Sequence, residues 1–355
     1  MTAEFHEVHN EFTIPNLRKS MVNPMNAKEM NRILQIIERR LADPTNNPPL
    51  EIMVFGGSVV EGWASNYNRW VKENHPRRDM LSFGWPNRLR DVLNDVSFGG
   101  NEVVRITNMG SGGATSDVGA LLLEYSLFPP NQRPPDIVMH SYSNNDMRFP
   151  GGEEESLHIK QDFIVAAKKL RCDGLPAVIM YDDFLGIHET SKMLDSMRYH
   201  RHVSQLSSWY DVMAISYAKS FRNLVYSGSI FERKYDQLSS VNLPMMGWGL
   251  EVHPGALYHS TAPWLIVFNL LTSMIDSCND YKVVSTHHSS YDELPVEQVP
   301  RLSNDLELEG LPQKWKESIA EYKERCSDAV SGDLPCSPQS WIVDNKLTRP
   351  QHLKT

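Results

Sequence analysis

This chain has few basic residues, few cysteines and no long apolar run. Lys and Arg number 35 against 44 Asp and Glu in 355 residues, which gives a formal net charge of −9. Because phosphate binding needs clustered basic side chains, this charge argues against a nucleic-acid-binding protein. No apolar segment reaches the ~18 residues that a membrane span needs. The longest candidate, residues 264–275, is interrupted by Asn269 and Thr272, and we expect it to form a buried helix.

The four cysteines are Cys172, Cys278, Cys326 and Cys336, and no pair has the Cys-x-x-Cys spacing of zinc or redox sites. Two interpretations remain open: four reduced thiols, or a disulfide between Cys326 and Cys336 that requires an oxidising compartment. The first six residues lack the basic start and apolar core of a signal peptide. We therefore expect a cytoplasmic protein if the sequence is complete, and a secretory or extracellular one if a leader has been removed.

The order of predicted elements indicates an α/β domain between an arm and a tail. Residues 1–49 are predicted to form a surface arm without periodicity over 1–25, then a helix from the N-cap Asn26 to about residue 41. Short apolar strands alternate with helices over residues 50–279, which is typical of βαβ units and a parallel sheet. Residues 280–355 are polar and rich in Pro and Ser, and we expect an appended tail.

Within the predicted domain, strands are expected up to Ser58 and over 102–107, 136–140 and 177–181, and a further apolar segment covers 225–231. The predicted helices cover 86–96, 116–125, 158–170, 204–220 and 260–275, and the tail holds one more over 312–326. The helix after Asn26 is expected to bury one face, which consists of Met30, Ile33, Leu34, Ile37 and Leu41.

Polar residues follow several of the predicted strands. The apolar run over residues 52–55 stops at Gly56 and Gly57, which permit a sharp turn, and Ser58 comes next. Because parallel strands point the same way, their carboxyl ends meet at one edge of the sheet, where ligands bind. A serine there is a candidate nucleophile if a base lies nearby, and His253 is the candidate base.

Four blocks in this order resemble those of the SGNH (GDSL-type) hydrolase superfamily. They are Phe55-Gly56-Gly57-Ser58, residues 108–116 (Asn-Met-Gly-Ser-Gly-Gly-Ala-Thr-Ser), Ser143-Asn144-Asn145-Asp146, and residues 251–255 (Glu-Val-His-Pro-Gly). The resemblance covers roughly residues 50–277 and implies a three-layer α/β/α domain with a mainly parallel, flavodoxin-like sheet.

The resemblance also implies a catalytic site. Ser58 would be the nucleophile and His253 the base, and the N–H groups of Ser58 and Gly113 with the Asn145 amide would form the oxyanion hole. The family places its triad aspartate three residues before the histidine, where this chain has Leu250. Either Glu251 or a backbone carbonyl would then orient the imidazole.

The expected reaction is hydrolysis of a small acyl ester, acetyl foremost, on a small molecule or carbohydrate, without cofactor or metal. The Gly110–Gly113 turn approaches a dinucleotide fingerprint, but Thr115 stands at its last glycine. His253 and His259 with Asp182 and Asp183 match no standard metal spacing.

Two other functions stay open. A sugar hydroxyl in place of water would make the protein an O-acyltransferase. A binding protein that kept the fold and lost its triad acid is the other alternative, and Leu250 favours it.

Overall fold

The computed structural model describes residues 13–62, 84–129, 132–147, 152–170, 176–183, 190–220 and 256–286. These residues form a six-stranded sheet in the order β1-β6-β5-β4-β2-β3. Its neighbouring strands are parallel except for the β1–β6 pair, so the predicted mainly parallel sheet is confirmed. The strands are β1 Met21–Asn23, β2 Leu50–Gly56, β3 Val104–Gly110, β4 Ile137–Ser141, β5 Ala177–Asp182 and β6 Met213–Ser216.

Helices cover both faces of this sheet, which confirms the three-layer α/β/α arrangement. They include α1 Ile14–Lys19, α2 Ala27–Ala42, α3 Ser58–Glu61, α4 Trp85–Asp91, α5 Ser116–Glu124, α6 Ser143–Asp146, α7 Gly152–Lys168, α8 Thr190–Tyr210 and α9 Ala256–Thr286, and a π-helix over Val92–Ser97 continues α4. Alternate residues of β2 face opposite layers: Ile52 and Val54 pack with α2, α4 and α9, whereas Met53 and Phe55 pack with α5, α7 and α8. Burial on both faces explains why the strand is apolar at successive positions.

The strand order locates a binding edge. Without the antiparallel edge strand β1, the five parallel strands run β3-β2-β4-β5-β6, which is the flavodoxin-like order. The direction of winding changes between β2 and β4, where Gly56 pairs with Ser141 at the carboxyl ends of the strands. Ligands of open α/β sheets bind outside the carboxyl ends at such a point. The fold therefore favours binding just beyond Gly56 and Ser141.

The described part of the predicted N-terminal arm has regular structure. Helix α1 is followed by β1, which pairs antiparallel with β6 and forms one edge of the sheet. The N-cap of α2 is confirmed, because Asn26 Oδ1 accepts the Glu29 N–H at 2.8 Å. The segment is too short to show a period in sequence, so its strand pairing becomes visible only in the fold.

The predicted apolar faces of two helices need correction. In α2, Met30, Ile33 and Ile37 are buried, but Leu41 in the last turn is 48% exposed. In α9, Trp264, Leu271 and Ile275 are exposed, although residues 264–275 were expected to form a buried helix. Positions 264, 271 and 275 share one side of a helix, and that side points away from the sheet. None of the helices in the described ranges combines the length and the apolar character that a membrane crossing requires.

The predicted continuous helix over 204–220 is wrong in its middle, because α8 ends at Tyr210 and Met213–Ser216 forms β6, before helix resumes over 217–220. The pattern of the four buried residues of β6 is compatible with a strand or with a helix. Their hydrogen bonding to β5 makes them a strand. Helix α7 begins at Gly152, earlier than predicted, and α9 extends to Thr286. The elements predicted over 225–231 and 312–326 lie outside the described residues, and the domain boundaries at 49/50 and 279/280 remain predictions.

Candidate active site

Ser58 is the first residue of α3, directly after the turn that ends β2. Ser58 is 6% exposed, so little of its surface faces solvent. The approach of α3 to the strand requires glycine at position 56. A β-carbon there would lie 2.1 Å from Val60 Cγ2 and 2.4 Å from the Ser141 carbonyl oxygen. The two glycines therefore let Ser58 sit at the carboxyl end of β2, as the sequence predicts.

Asn145 lies against the residue before Ser58. A β-carbon on Gly57 would be 2.1 Å from Asn145 Nδ2. The same nitrogen donates one hydrogen bond to the Ala114 carbonyl at 2.6 Å. An amide nitrogen carries two hydrogens, and within the described part of the chain no acceptor takes the second. The structure thus brings the third motif beside the first and leaves a donor between them.

The turn after β3 carries Gly113, which has a φ of +78°. Glycine adopts this left-handed conformation without the strain that a β-carbon brings. The residue is exposed, and a β-carbon on it would meet no atom within 4 Å. Among the described residues, no acceptor is paired with its N–H. This N–H is the second donor at the edge that holds Ser58 and Asn145.

Two hydrogen bonds tie this turn to the end of β2 and to α3. The Ser111 N–H donates to the Gly56 carbonyl at 3.0 Å, and the Gly112 N–H donates to Glu61 Oε2 at 2.7 Å. Gly110 permits this approach, because a β-carbon there would lie 2.3 Å from the Glu61 nitrogen. Glu61 is fully buried and was not singled out from the sequence. The signal in the sequence that could have indicated Glu61 was its position three residues after Ser58.

A buried polar cluster lies behind the turn, around Asp146. The Ser116 N–H donates to Asp146 Oδ1 at 2.9 Å, and Ser116 Oγ donates to Asp146 Oδ2 at 2.5 Å. His140 Nε2 lies 2.5 Å from Ser116 Oγ. Because the hydroxyl proton goes to Asp146, the imidazole must donate through Nε2. Burial, and then the nearby Lys160 charge, lowers the pKa of His140 to about 3, so the ring is neutral.

Lys160 provides the positive charge of this cluster. Its Nζ lies 3.7 Å from Asp146 Oδ2, donates to Ser156, and sits 4.4 Å from the Tyr199 ring centroid. The side chain is fully buried. Burial raises the pKa of Asp146 and lowers the pKa of Lys160, while their mutual attraction opposes both shifts. Lys160 was not singled out from the sequence, because a lysine within a helix is usually solvated.

The end of β5 carries Asp182 and Asp183, which are both buried and hydrogen-bonded. Ser141 Oγ and Ser143 Oγ each donate to the Asp183 carboxyl group. Ser216 Oγ donates to Asp182 at 2.8 Å. These contacts join the ends of β4, β5 and β6, so the two aspartates stabilise the edge. Burial raises the pKa of Asp183 to about 6.

The first turn of α9 lies beside α4. The Trp85 N–H donates to His259 Nδ1 at 3.3 Å, and a β-carbon on Gly84 would lie 3.2 Å from the Gly62 α-carbon. These contacts place the start of α9 near the end of the helix that begins with Ser58. In the described residues, no group of three or more His, Cys, Asp or Glu is arranged to hold a metal ion.

The predicted base, His253, lies outside the described residues, as do Glu251 and Leu250. His253 is three residues before Ala256, the first residue of α9. The structure brings Ser58, Gly113 and Asn145 to one edge of the sheet, and the role of His253 stays a prediction.

No family model and no curated protein matches this chain. Among solved structures, it is similar to AlinE4, a SGNH-hydrolase family esterase, at 13% identity over 55% of this chain and 85% of that chain, with a TM-score of 0.38. The acetyl xylan esterase AlAXEase is 15% identical over 61% of this chain and 98% of its own, with a TM-score of 0.43. A variant of Axe2, an acetyl-xylooligosaccharide esterase from Geobacillus Stearmophilus, is 15% identical over 62% and 94%, with a TM-score of 0.45.

Proposed function

We propose that this protein is a serine-dependent carboxylic ester hydrolase whose nucleophile is Ser58. The observation that carries the proposal is the contact of Asn145 with Gly57, next to Ser58 at the edge between β2 and β4. An amide donor beside a serine, at the point where this type of sheet binds ligands, supports the proposal. A serine, a side-chain amide and a turn N–H in this arrangement suit the tetrahedral intermediate of acyl transfer.

The proposed reaction proceeds through an acyl-enzyme. Ser58 Oγ attacks the ester carbonyl carbon as its proton moves to His253, and the carbonyl oxygen gains the negative charge. The N–H groups of Ser58 and Gly113 and the second Asn145 hydrogen stabilise that oxyanion. The C–O bond then breaks, and the alcohol leaves with the proton from His253. Water attacks the acyl-enzyme by the same route in reverse and releases the carboxylic acid.

His253 is the proposed base, although it lies outside the described residues. Its support is the position of α9, whose first turn contacts α4 beside the end of the Ser58 helix. The proposed orienting group is Glu251 or a backbone carbonyl, since Leu250 occupies the position of the family aspartate. Loss of the orienting acid from a serine triad costs about 10⁴ in turnover. We therefore expect turnover below that of an enzyme with a full triad.

The proposed substrate is an acetyl ester on a carbohydrate, and the motif resemblance alone supports this narrower assignment. An acyl-length series tests the acyl part, with p-nitrophenyl acetate, butyrate and octanoate compared at equal concentration. Acetylated xylo-oligosaccharides test the alcohol part through the release of acetate. Preference for octanoate, or no release of acetate, would restrict the proposal to ester hydrolysis in general.

The first experiment measures p-nitrophenyl acetate hydrolysis by the wild type, Ser58→Ala and His253→Ala. Matched controls are Ser208→Ala and His158→Ala, which change the same residue types at exposed positions of α8 and α7. Loss of turnover in the first two variants, with both controls near wild type, supports the proposal. Equal turnover in wild type and Ser58→Ala rejects Ser58 as the nucleophile.

A binding protein without catalysis is the alternative that Leu250 favours. A fluorophosphonate probe distinguishes it, because covalent labelling needs an activated serine. Labelling that is absent from Ser58→Ala supports the enzyme. A wild type that neither turns over the ester nor is labelled at Ser58 supports the binding protein. Added sugar acceptors test acyl transfer through the appearance of a new ester.

A further inference from the structure

Two buried carboxyl groups hold the turn that carries Gly113, one from each side. Glu61 contacts it from the Ser58 helix, where its Oε2 accepts the Gly112 N–H at 2.7 Å. Asp146 contacts it from the Asn145 helix, where its two oxygens accept the N–H and the Oγ–H of Ser116. Both side chains are at most 1% exposed. Each is on the same short helix as another residue of the proposed site.

These contacts bracket the turn along the chain. Gly112 precedes Gly113, and Ser116 is the first residue of α5 after it. Between them, the Ala114 carbonyl accepts the hydrogen bond from Asn145 Nδ2 at 2.6 Å. The turn is therefore tied to the Ser58 helix at one end and to the Asn145 helix at its middle and far end. Gly113 itself has no side chain, so the turn is held through the contacts of its neighbours.

Lys160 makes the Asp146 anchor electrostatically feasible. A carboxylate in a dry interior is costly unless a charge and hydrogen bonds compensate it. Lys160 Nζ at 3.7 Å supplies the charge, and Ser116 supplies two hydrogen bonds. The neutral His140 ring donates to Ser116 Oγ from the other side, which orients the hydroxyl toward Asp146. The anchor has a fixed geometry as a result.

We propose that Glu61 and Asp146 are positioning residues for the oxyanion hole. They hold the Gly113 N–H and the Asn145 amide at fixed distances from Ser58. This inference rests on the proposed function and deepens it. Neither carboxyl group touches the substrate. Oxyanion donors act only if they lie about 2.7–3.1 Å from the developing charge. A shift of the turn by about 1 Å would therefore lower turnover while substrate binding stays similar.

Glu61 gives the sharper test, because a conservative variant exists. In Glu61→Gln, the amide oxygen can still accept the Gly112 N–H, whereas Glu61→Ala cannot. We expect Glu61→Ala to lower kcat about 10- to 100-fold with KM within about threefold, since one misplaced oxyanion donor costs up to 10²–10³. Glu61→Gln should stay within about fivefold of wild type. Glu154→Ala, which removes an exposed glutamate from α7, is the control.

A second readout is independent of activity. Hydrogen–deuterium exchange of the Gly112 and Gly113 amides reports whether the turn is held. Exchange at Gly112 should rise at least tenfold in Glu61→Ala and remain near wild type in Glu61→Gln and Glu154→Ala. Circular dichroism of each variant establishes that it is folded. If Glu61→Ala does not fold, Ser116→Ala, which removes one Asp146 hydrogen bond, replaces it, and a kcat equal to that of the wild type then overturns the inference.

The outcomes separate the inference from the proposed function. A lower kcat with faster Gly112 exchange in Glu61→Ala supports the inference. An unchanged kcat, or unchanged exchange, in that variant overturns it while ester hydrolysis stands. Absence of Ser58-dependent turnover in the wild type overturns the proposed function and, with it, the positioning role, whatever the exchange shows. Equal losses of kcat in Glu61→Gln and Glu61→Ala also overturn it, because the hydrogen bond would then not be the cause.

Discussion

The Asn145 side chain occupies the place where a β-carbon on Gly57 would lie, with its Nδ2 2.1 Å from that position. Residues 57 and 145 belong to different motifs and are 88 positions apart, so only the pairing of β2 with β4 brings them into contact. In this chain, any side chain at position 57 displaces Asn145 from its present place. The glycine and the asparagine therefore depend on each other.

Gly57→Ala should abolish most activity while the protein stays folded. The φ of Gly57 is −85°, which alanine adopts without left-handed strain. The new β-carbon meets the end of the Asn145 side chain, which can turn away at a cost of about 0.5–1.5 kcal/mol. We expect about a 100-fold lower kcat from the displaced donor. Ester turnover and thermal unfolding of the same samples check both parts.

The control for that variant is Gly99→Ala. Gly99 has a φ of +63° and open space around it, away from Ser58. It should lose about 1–2 kcal/mol of stability through strain and keep its activity. Activity loss in Gly99→Ala as large as in Gly57→Ala would indicate a general effect of destabilisation.

Gly113 should tolerate asparagine better than alanine. There is room for a side chain at this position, so the φ of +78° is what limits substitution. Alanine costs about 1–2 kcal/mol in this conformation, and the turn relaxes to relieve it, whereas asparagine adopts it more readily. We expect kcat to fall about tenfold more in Gly113→Ala than in Gly113→Asn. Steady-state kinetics with matched protein concentrations test the order, and equal kcat values would contradict it.

The buried pair of Asp146 and Lys160 should show strong coupling in stability. Removing one partner leaves the other charge buried and unpaired, which costs about 3–5 kcal/mol. Asp146→Asn and Lys160→Met should each be destabilised by this amount, and the double variant by less than their sum. Urea unfolding of the four proteins gives the coupling free energy. Additive losses would show that the pair does not interact as the 3.7 Å separation implies.

Glu29 should make stability depend on pH. Burial raises its pKa from 4.5 to about 7, with Lys168 the largest opposing influence. Between pH 4.5 and pH 7, Glu29 keeps its proton in the folded protein and loses it in the unfolded chain. The contribution of Glu29 to the free energy of unfolding therefore falls as pH rises from 4.5 to 7. Glu29→Gln removes the dependence. Relative to wild type, it should be more stable at pH 8 than at pH 5 by up to about 3 kcal/mol.

Thermal unfolding between pH 5 and pH 8 measures this difference. Glu38→Gln, at an exposed position of the same helix, is the control and should follow the wild type. Parallel pH profiles for wild type and Glu29→Gln would show that the Glu29 carboxyl group is not shifted in the folded protein.

Local pattern was sufficient for much of the fold. Apolar runs bounded by glycine or proline located β2, β3, β4 and β5 to within a few residues, and Asn26 marked the start of α2. Local pattern did not predict β6, where four buried residues have no distinguishing period, and it did not predict β1. Both strands are defined by the hydrogen bonds they exchange with distant segments. A short segment cannot encode its partner in its own composition.

The motif residues and their order along the chain could likewise be predicted from the sequence. The residues that hold them in position could not. Ser58, Gly113 and Asn145 were predicted by number, and the structure places them at one edge of the sheet. The burial of Glu61 and Lys160 was not predictable, because charged side chains on helices are usually solvated. Their burial follows from which face of each helix the sheet covers. That depends on packing between elements.

The sequence by itself determined the alternation of strands and helices and the order of the polar motifs along the chain, because periodicity and glycine act over a few residues. Only the tertiary structure decided that β2 and β4 are neighbours, that Asn145 lies against Gly57, and that Glu61 and Asp146 hold the turn of Gly113. Those contacts join segments tens of residues apart. Their free energy comes from burial and hydrogen bonds that exist only when the whole sheet has formed.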